Sequence, residues 1–137
     1  MKNMTTLEQF PYFIEKAEKI LPFWEGMNEG KFRSTKCMNE ACQELHFPPR
    51  ILCPKCYSTK IEWIDLPQTG TVETFTFVEI PPEGFSEPYY LVMVRMDVLE
   101  KPILVRYTGE GVPEIGQRVK MSFEEVEGQN LPVLVPA

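Results

Sequence analysis

Four cysteines stand at spacings that suit a metal ion. They read Cys37-Met-Asn-Glu-Ala-Cys42 and, ten residues later, Cys53-Pro-Lys-Cys56, and the chain has no others. Two close pairs joined by a short loop have the spacing of a tetrahedral thiolate site. Each pair forms a tight knuckle that aims two sulfurs at one point. Zinc held there would close a loop too small to bury a core of its own. The competing readings are a disulfide framework or four unrelated buried thiols. The N-terminus, Met1-Lys-Asn-Met-Thr-Thr, lacks the apolar stretch of a secretory signal, and cytosolic chains rarely keep disulfides, so a metal is expected. Iron stays open beside zinc, because a rubredoxin-like site uses the same four sulfurs. The sole histidine, His46, is a weaker ligand candidate, since four cysteines already satisfy the ion.

The elements that position this site come next. At 137 residues the chain is one domain, or a small domain with a stapled appendage. Its formal charge is −6 with neutral thiols. Four thiolates and one divalent ion add −2, which brings a metallated chain to about −8. That balance opposes a nucleic-acid partner, which needs a dense basic face. No apolar run approaches the ~20 residues of a membrane span, so a cytoplasmic location is expected. Thirteen prolines suggest a loop-rich β protein with short elements.

Residues 1–30 read as a helical arm. Thr5 and Thr6 are candidate N-caps, and Phe10, Phe13, Ile14, Ala17, Ile20 and Leu21 recur at helical spacing. Pro22 starts a second short helix that carries Phe23, Trp24 and Met27 and stops at Gly30. This arm either packs on the protein's own sheet or offers a docking face to another subunit. Residues 31–62 form the metal ribbon. Its insert, Phe47-Pro48-Pro49-Arg50, cannot be helical and is stiffened in an extended form. Residues 63–137 read as a barrel. After a first run at Ile61–Leu66, strands are expected at 71–80, 89–97, 102–107 and 117–123, with a short edge strand at 131–135. In the first of these barrel strands Val72, Thr74, Thr76 and Val78 should share one face. Pro81-Pro-Glu-Gly-Phe-Ser-Glu-Pro88 is too rich in proline for a strand and forms a long ordered loop. Five antiparallel strands with one long loop suit an OB-type barrel. The fold class is thus mostly β: two short N-terminal helices, a rubredoxin-like ribbon, and a five-stranded barrel.

Five stretches in order carry a family resemblance. They are Phe23-Trp24-Glu25-Gly26, Phe47-Pro48-Pro49-Arg50, Cys53-Pro54-Lys55-Cys56, the Thr69-Gly70-Thr71-Val72 turn into a Phe-Thr-Phe strand, and Pro81-Pro82-Glu83-Gly84-Phe85. From about residue 22 onward the chain resembles the OB-fold, acyl-CoA-associated family with a rubredoxin-like zinc ribbon, long catalogued as a domain of unknown function. The resemblance implies one structural zinc on Cys37, Cys42, Cys53 and Cys56. It also implies a thiolase-like large subunit as partner, acyl-CoA at or near the shared interface, and no catalysis by the small chain itself. The partner's step would be thiolysis, condensation or retro-aldol cleavage. The expected partner contacts are Phe13, Phe23 and Trp24. The residues expected near coenzyme A are Arg50, Pro82, Gly84 and Phe85. The chain departs from the family pattern in two places: four residues separate the first cysteine pair where two are usual, and Tyr57 stands where glycine often follows the second pair.

The residues alone leave other classes in view. Stand-alone catalysis lacks a nucleophile and base once the cysteines hold metal and one histidine remains. An electron carrier requires iron. A nucleic-acid module would suit a ribbon joined to an OB barrel, but the acidic balance opposes it.

Overall fold

The computed structural model describes residues 19–126 and 128–137. The expected first helix, with Phe13, lies outside the described residues. The chain divides into two compact units, Met1–Leu66 and Pro67–Ala137. Among the described residues no helix is long and apolar enough to cross a membrane.

In the first unit, α1 spans Leu21–Asn28 with a proline in its first turn, where the missing N–H interrupts nothing. It ends in a Schellman motif. Lys31 N–H reaches Gly26 O at 2.8 Å, Gly30 N–H reaches Met27 O at 3.1 Å, and Gly30 has the φ of +75° that this ending requires. Three antiparallel strands follow: β1 (Arg33–Cys37), β2 (Leu45–His46) and β3 (Ile61–Asp65), in the order β2-β1-β3. β3 pairs with β1 along its whole length, from Arg33 opposite Asp65 to Cys37 opposite Ile61. The run at 61–66 therefore belongs to the ribbon sheet, and the 62/63 boundary expected from sequence falls inside it.

In the second unit, β4 (Thr69–Val78), β5 (Tyr89–Met96), β6 (Ile103–Tyr107), β7 (Arg118–Val126) and β8 (Gln129–Pro136) close into a barrel in the order β4-β5-β6-β8-β7. This is the strand order of an OB fold. Val72, Val92, Val94, Met96, Val119 and Leu134 fill the interior, each no more than 1% exposed.

Three barrel details differ from the sequence reading. The strands are not all antiparallel: β6 and β8 run parallel through Arg106–Val133 and Tyr107–Leu134. The last strand is not a short edge but an eight-residue closing strand paired on both sides. Its β6 side is paired only at Val133 and Leu134, so Pro132 interrupts no ladder there. Finally, Val72, Thr74, Thr76 and Val78 do not share a face. Val72 pairs with Val94 but Thr74 pairs with Met93, so Glu73 is an extra residue on β4. A bulge of one residue reverses every side chain beyond it, and Thr74 and Thr76 are exposed.

Candidate functional site

The two knuckles bring all four cysteines together. The sulfurs lie within 4.8 Å of one another. Cys37 Sγ is 3.5 Å from Cys56 Sγ, and Cys42 Sγ is 3.7 Å from Cys53 Sγ. Sulfurs at the corners of a tetrahedral zinc site, with Zn–S near 2.3 Å, sit about 3.8 Å apart. The donor set therefore fits a metal, and all four thiols are free of disulfide bonds.

The long first pair has a local explanation. In the second knuckle Tyr57 N–H closes a turn on Cys53 O at 2.9 Å, and Tyr57 has φ +61°. In the first, Gln43 N–H closes the matching turn on Asn39 O at 3.0 Å, and Gln43 has φ +54°. The turn thus begins at Asn39, not at Cys37. Cys37 is supplied from the end of β1, two residues earlier, which accounts for the wider spacing. Asn39 itself turns inward: its amide donates to Cys56 Sγ at 3.6 Å. The positive φ at Tyr57 is also why glycine suits that position.

The sulfurs differ electrostatically. Burial pushes the Cys37 thiol up. The Glu44 amide pulls Cys42 down, but burial and the other sulfurs outweigh it and push that thiol up to about 12. Burial raises Cys53 too, yet the backbone amides of Cys56 and Lys55 and the His46 ring hold it below its ordinary value. The Ser58 amide, with help from Cys37 and Asn39, brings Cys56 down to about 7. Backbone N–H groups aimed at sulfur favour thiolate, the form a metal binds.

Between the knuckles runs the Phe47–Arg50 arm, whose Phe47–Pro48 peptide is cis. The Phe47 ring packs 5.2 Å from Phe32 and 6.1 Å from Phe23. Phe23 is thus committed in part to the ribbon's own packing, whereas Trp24 is 38% exposed. Arg50 N–H donates to Thr35 Oγ1 at 2.8 Å, and Arg50 is exposed.

In the barrel unit, Pro82–Phe85 forms a turn closed by Phe85 N–H on Pro82 O at 3.2 Å. Gly84, with φ +99°, occupies the third position of a type II turn, where a side chain would be strained. The turn delivers Phe85 to a cleft of roughly 630 Å³, lined also by Phe77, Tyr89, Tyr90, Arg106 and Glu124. Pro82 does not line it. The Arg106 guanidinium lies 5.0 Å from the Phe85 ring centre and 5.8 Å from that of Tyr89, and it pairs with Glu124 at 2.7 Å. Two further carboxylates, Glu87 and Glu125, line the cleft, so its charge is net negative. It is lined by the second and third barrel strands, the loop joining strands one to two and the end of the fourth strand, on the side where OB folds place ligands, but its sign repels phosphate. The sequence reading did not find Arg106 or Thr35. Each acquires its role through pairing across the sheet, which local spacing does not carry.

Comparison with known proteins agrees with these features. Residues 24–62 match the family described as ChsH2, rubredoxin-like zinc ribbon domain. Residues 63–124 match ChsH2, C-terminal OB-fold domain. A DUF35 domain-containing scaffold protein of Pyrococcus furiosus is 34% identical over 103 residues, covering 72% of this chain and 71% of its own. A protein of the same description from Methanocaldococcus jannaschii is 32% identical over 125 residues, 84% of each chain. Among solved structures, one titled Ltp2-ChsH2(DUF35) aldolase superposes with a TM-score of 0.71 at 22% identity, covering 99% of this chain and 98% of that one.

Proposed function

We propose that this chain, which belongs to the DUF35 family of ChsH2-type zinc-ribbon and OB-fold proteins, is the non-catalytic small subunit of a thiolase-like acyl-CoA enzyme complex in the cytoplasm. The scaffold name of its relatives and the aldolase named together with ChsH2 support this reading. The observation that carries it is the convergence of all four cysteines on one point. Four thiolates saturate a tetrahedral ion and leave no open position for substrate or water. The one histidine is buried, so the described cleft has no imidazole to act as a base.

Cys37, Cys42, Cys53 and Cys56 would hold zinc, which when bound supplies a cross-link between the two knuckles. The N-terminal residues Phe13, Phe23 and Trp24 would meet the large subunit. Arg50, on its stiff arm, would meet the polyanionic 3′,5′-ADP end of coenzyme A. The Pro82, Gly84 and Phe85 turn, beside a cleft of net negative charge, would face the coenzyme path with the Phe85 ring and take none of the phosphates. One fixed arginine on a phosphate contributes about 1–3 kcal/mol through charged hydrogen bonds. The large subunit would carry out the thiolysis, condensation or retro-aldol step.

The test uses the reconstituted complex. Trp24→Asp should abolish co-purification without loss of metal; it is a cleaner probe than Phe23→Asp, which would also disturb Phe47. Arg50→Ala should raise the acyl-CoA KM about tenfold with little change in kcat. An unchanged KM removes Arg50 from the coenzyme path. A rubredoxin-like electron carrier is the second reading, favoured by the same four-sulfur cage and the Asn39 amide on Cys56 Sγ; visible absorption of a ferric tetrathiolate would support it.

A further inference from the structure

The only histidine is 3% exposed and belongs to none of the four knuckle positions. Its Nδ1 lies 3.0 Å from Thr35 Oγ1. That hydroxyl already accepts the Arg50 backbone N–H at 2.8 Å. A hydroxyl has one proton to give, and among the described residues Nδ1 is the acceptor placed to take it. With that proton given to Nδ1, the neutral ring carries its own proton on Nε2, the tautomer that satisfies the Thr35 hydroxyl. Nε2 is fully buried and lacks a formed hydrogen bond among the described residues. Geometry sets the ring beside the cage. His46 pairs with Thr35 across β1 and β2, so it shares a face of the sheet with Cys37, two residues along β1. Cys53 Sγ lies within 4.8 Å of Cys37 Sγ; Cys53 is 0% exposed, and the ring favours its thiolate. A protonated thiol is a weak acceptor, but the thiolate of a loaded cage is a strong, charged one. Backbone contacts hold the ring's position as well: the Ser34 hydroxyl donates to His46 O, and Thr35 pairs with His46 across β1 and β2.

We propose that His46 is a positioning residue that links the metal cage to the arm bearing Arg50. Its Nε2–H donates to the Cys53 thiolate, its Nδ1 accepts from Thr35, and Thr35 in turn holds the Arg50 amide. Hydrogen-bonding partners behind the first ligands orient metal sites in this way. Here the partner's far side is the start of a segment with its own proposed role. Filling the cage completes the chain of hydrogen bonds; emptying it leaves a buried N–H without a strong acceptor and loosens the arm. The inference rests on the cage holding a metal, but not on coenzyme A or on a partner subunit. Its test therefore uses the isolated full-length chain, and its failure is separable from failure of the complex reading.

The experiment loads the protein with NMR-active cadmium and reads three signals. Long-range proton–nitrogen spectra of the imidazole should show the neutral ring protonated at Nε2. Thr35→Val should leave metal content and the cadmium shift unchanged, yet speed exchange of the Arg50 amide about tenfold, the loss of one hydrogen bond. His46→Phe should move the cadmium shift, and His46→Gln, whose amide can replace Nε2–H, should restore it. A ring protonated at Nδ1 would overturn the proposal. So would an Arg50 amide equally protected in Thr35→Val, or equally protected with the metal removed. Should His46→Phe fail to fold, the tautomer and Thr35→Val still decide.

Discussion

In the barrel the fully buried side chains include Val72, Val92, Val94, Met96, Val119 and Leu134; in the first unit Met27 and Phe32 are buried beside the polar or ligating Ser34, Thr35, Cys37 and Cys53. The barrel sheet closes on itself through strands of five to ten residues. The ribbon sheet has one strand of two residues and two of five. Apolar burial stabilises the first by roughly 25 cal/mol per Å². The second buries Met27 and Phe32 in this way, and its buried polar groups are held by hydrogen bonds and by the cage. Metal does for the ribbon what a core does for the barrel. Each unit should therefore fail by a different insult.

The largest expected effect is metal removal. Chelation, or Cys53→Ser, should collapse the ribbon, because structural zinc supplies about 10–16 kcal/mol of apparent folding free energy in small zinc domains. Amide spectra should lose the signals of residues 31–62 and keep those of the barrel; simultaneous loss of both would break the contrast. The converse change is Leu134→Ala. It should cost the barrel about 2–5 kcal/mol, read as a lowered urea midpoint, with metal stoichiometry unaltered.

Smaller effects sharpen the picture. Tyr57 is 74% exposed and left-handed, so Tyr57→Gly removes strain and little packing. It should make the cage harder to strip with a chelator, by about 1 kcal/mol. The smallest effect concerns the barrel rim. Asp97 accepts two hydrogen bonds at 2.8 Å from Arg118 and one at 2.6 Å from Thr69, which hold its carboxyl well below the usual range. A carboxylate depressed on folding stabilises above its unfolded value, near 3.8. That stability is lost as pH falls further toward the folded value. Lowering the pH from 5 to 2 should thus reduce the melting temperature of the wild type more than that of Asp97→Asn.

Much of this was legible in the residues. Cysteine spacing marked the cage, and alternation marked the five barrel strands nearly to their ends. What stayed hidden was non-local. The bulge at Glu73 reverses the face of β4, yet only the partner register reveals it. The run at 61–66 has ordinary strand character, and nothing within it says that it pairs with β1. Arg106 joins Phe85 and Glu124 only because β6 sits beside β5 and β8. Asn39 opens the first knuckle turn, a role that counting cysteines passes over. Tyr57 is the exception, since its oddity was visible against the family pattern before its φ explained it.

The most direct measurement is mild isolation of the chain from its own cells, with mass spectrometry and metal analysis of what comes with it. The account predicts a thiolase-like protein in near-stoichiometric amount and one zinc per chain. A chain recovered alone and carrying iron would contradict it.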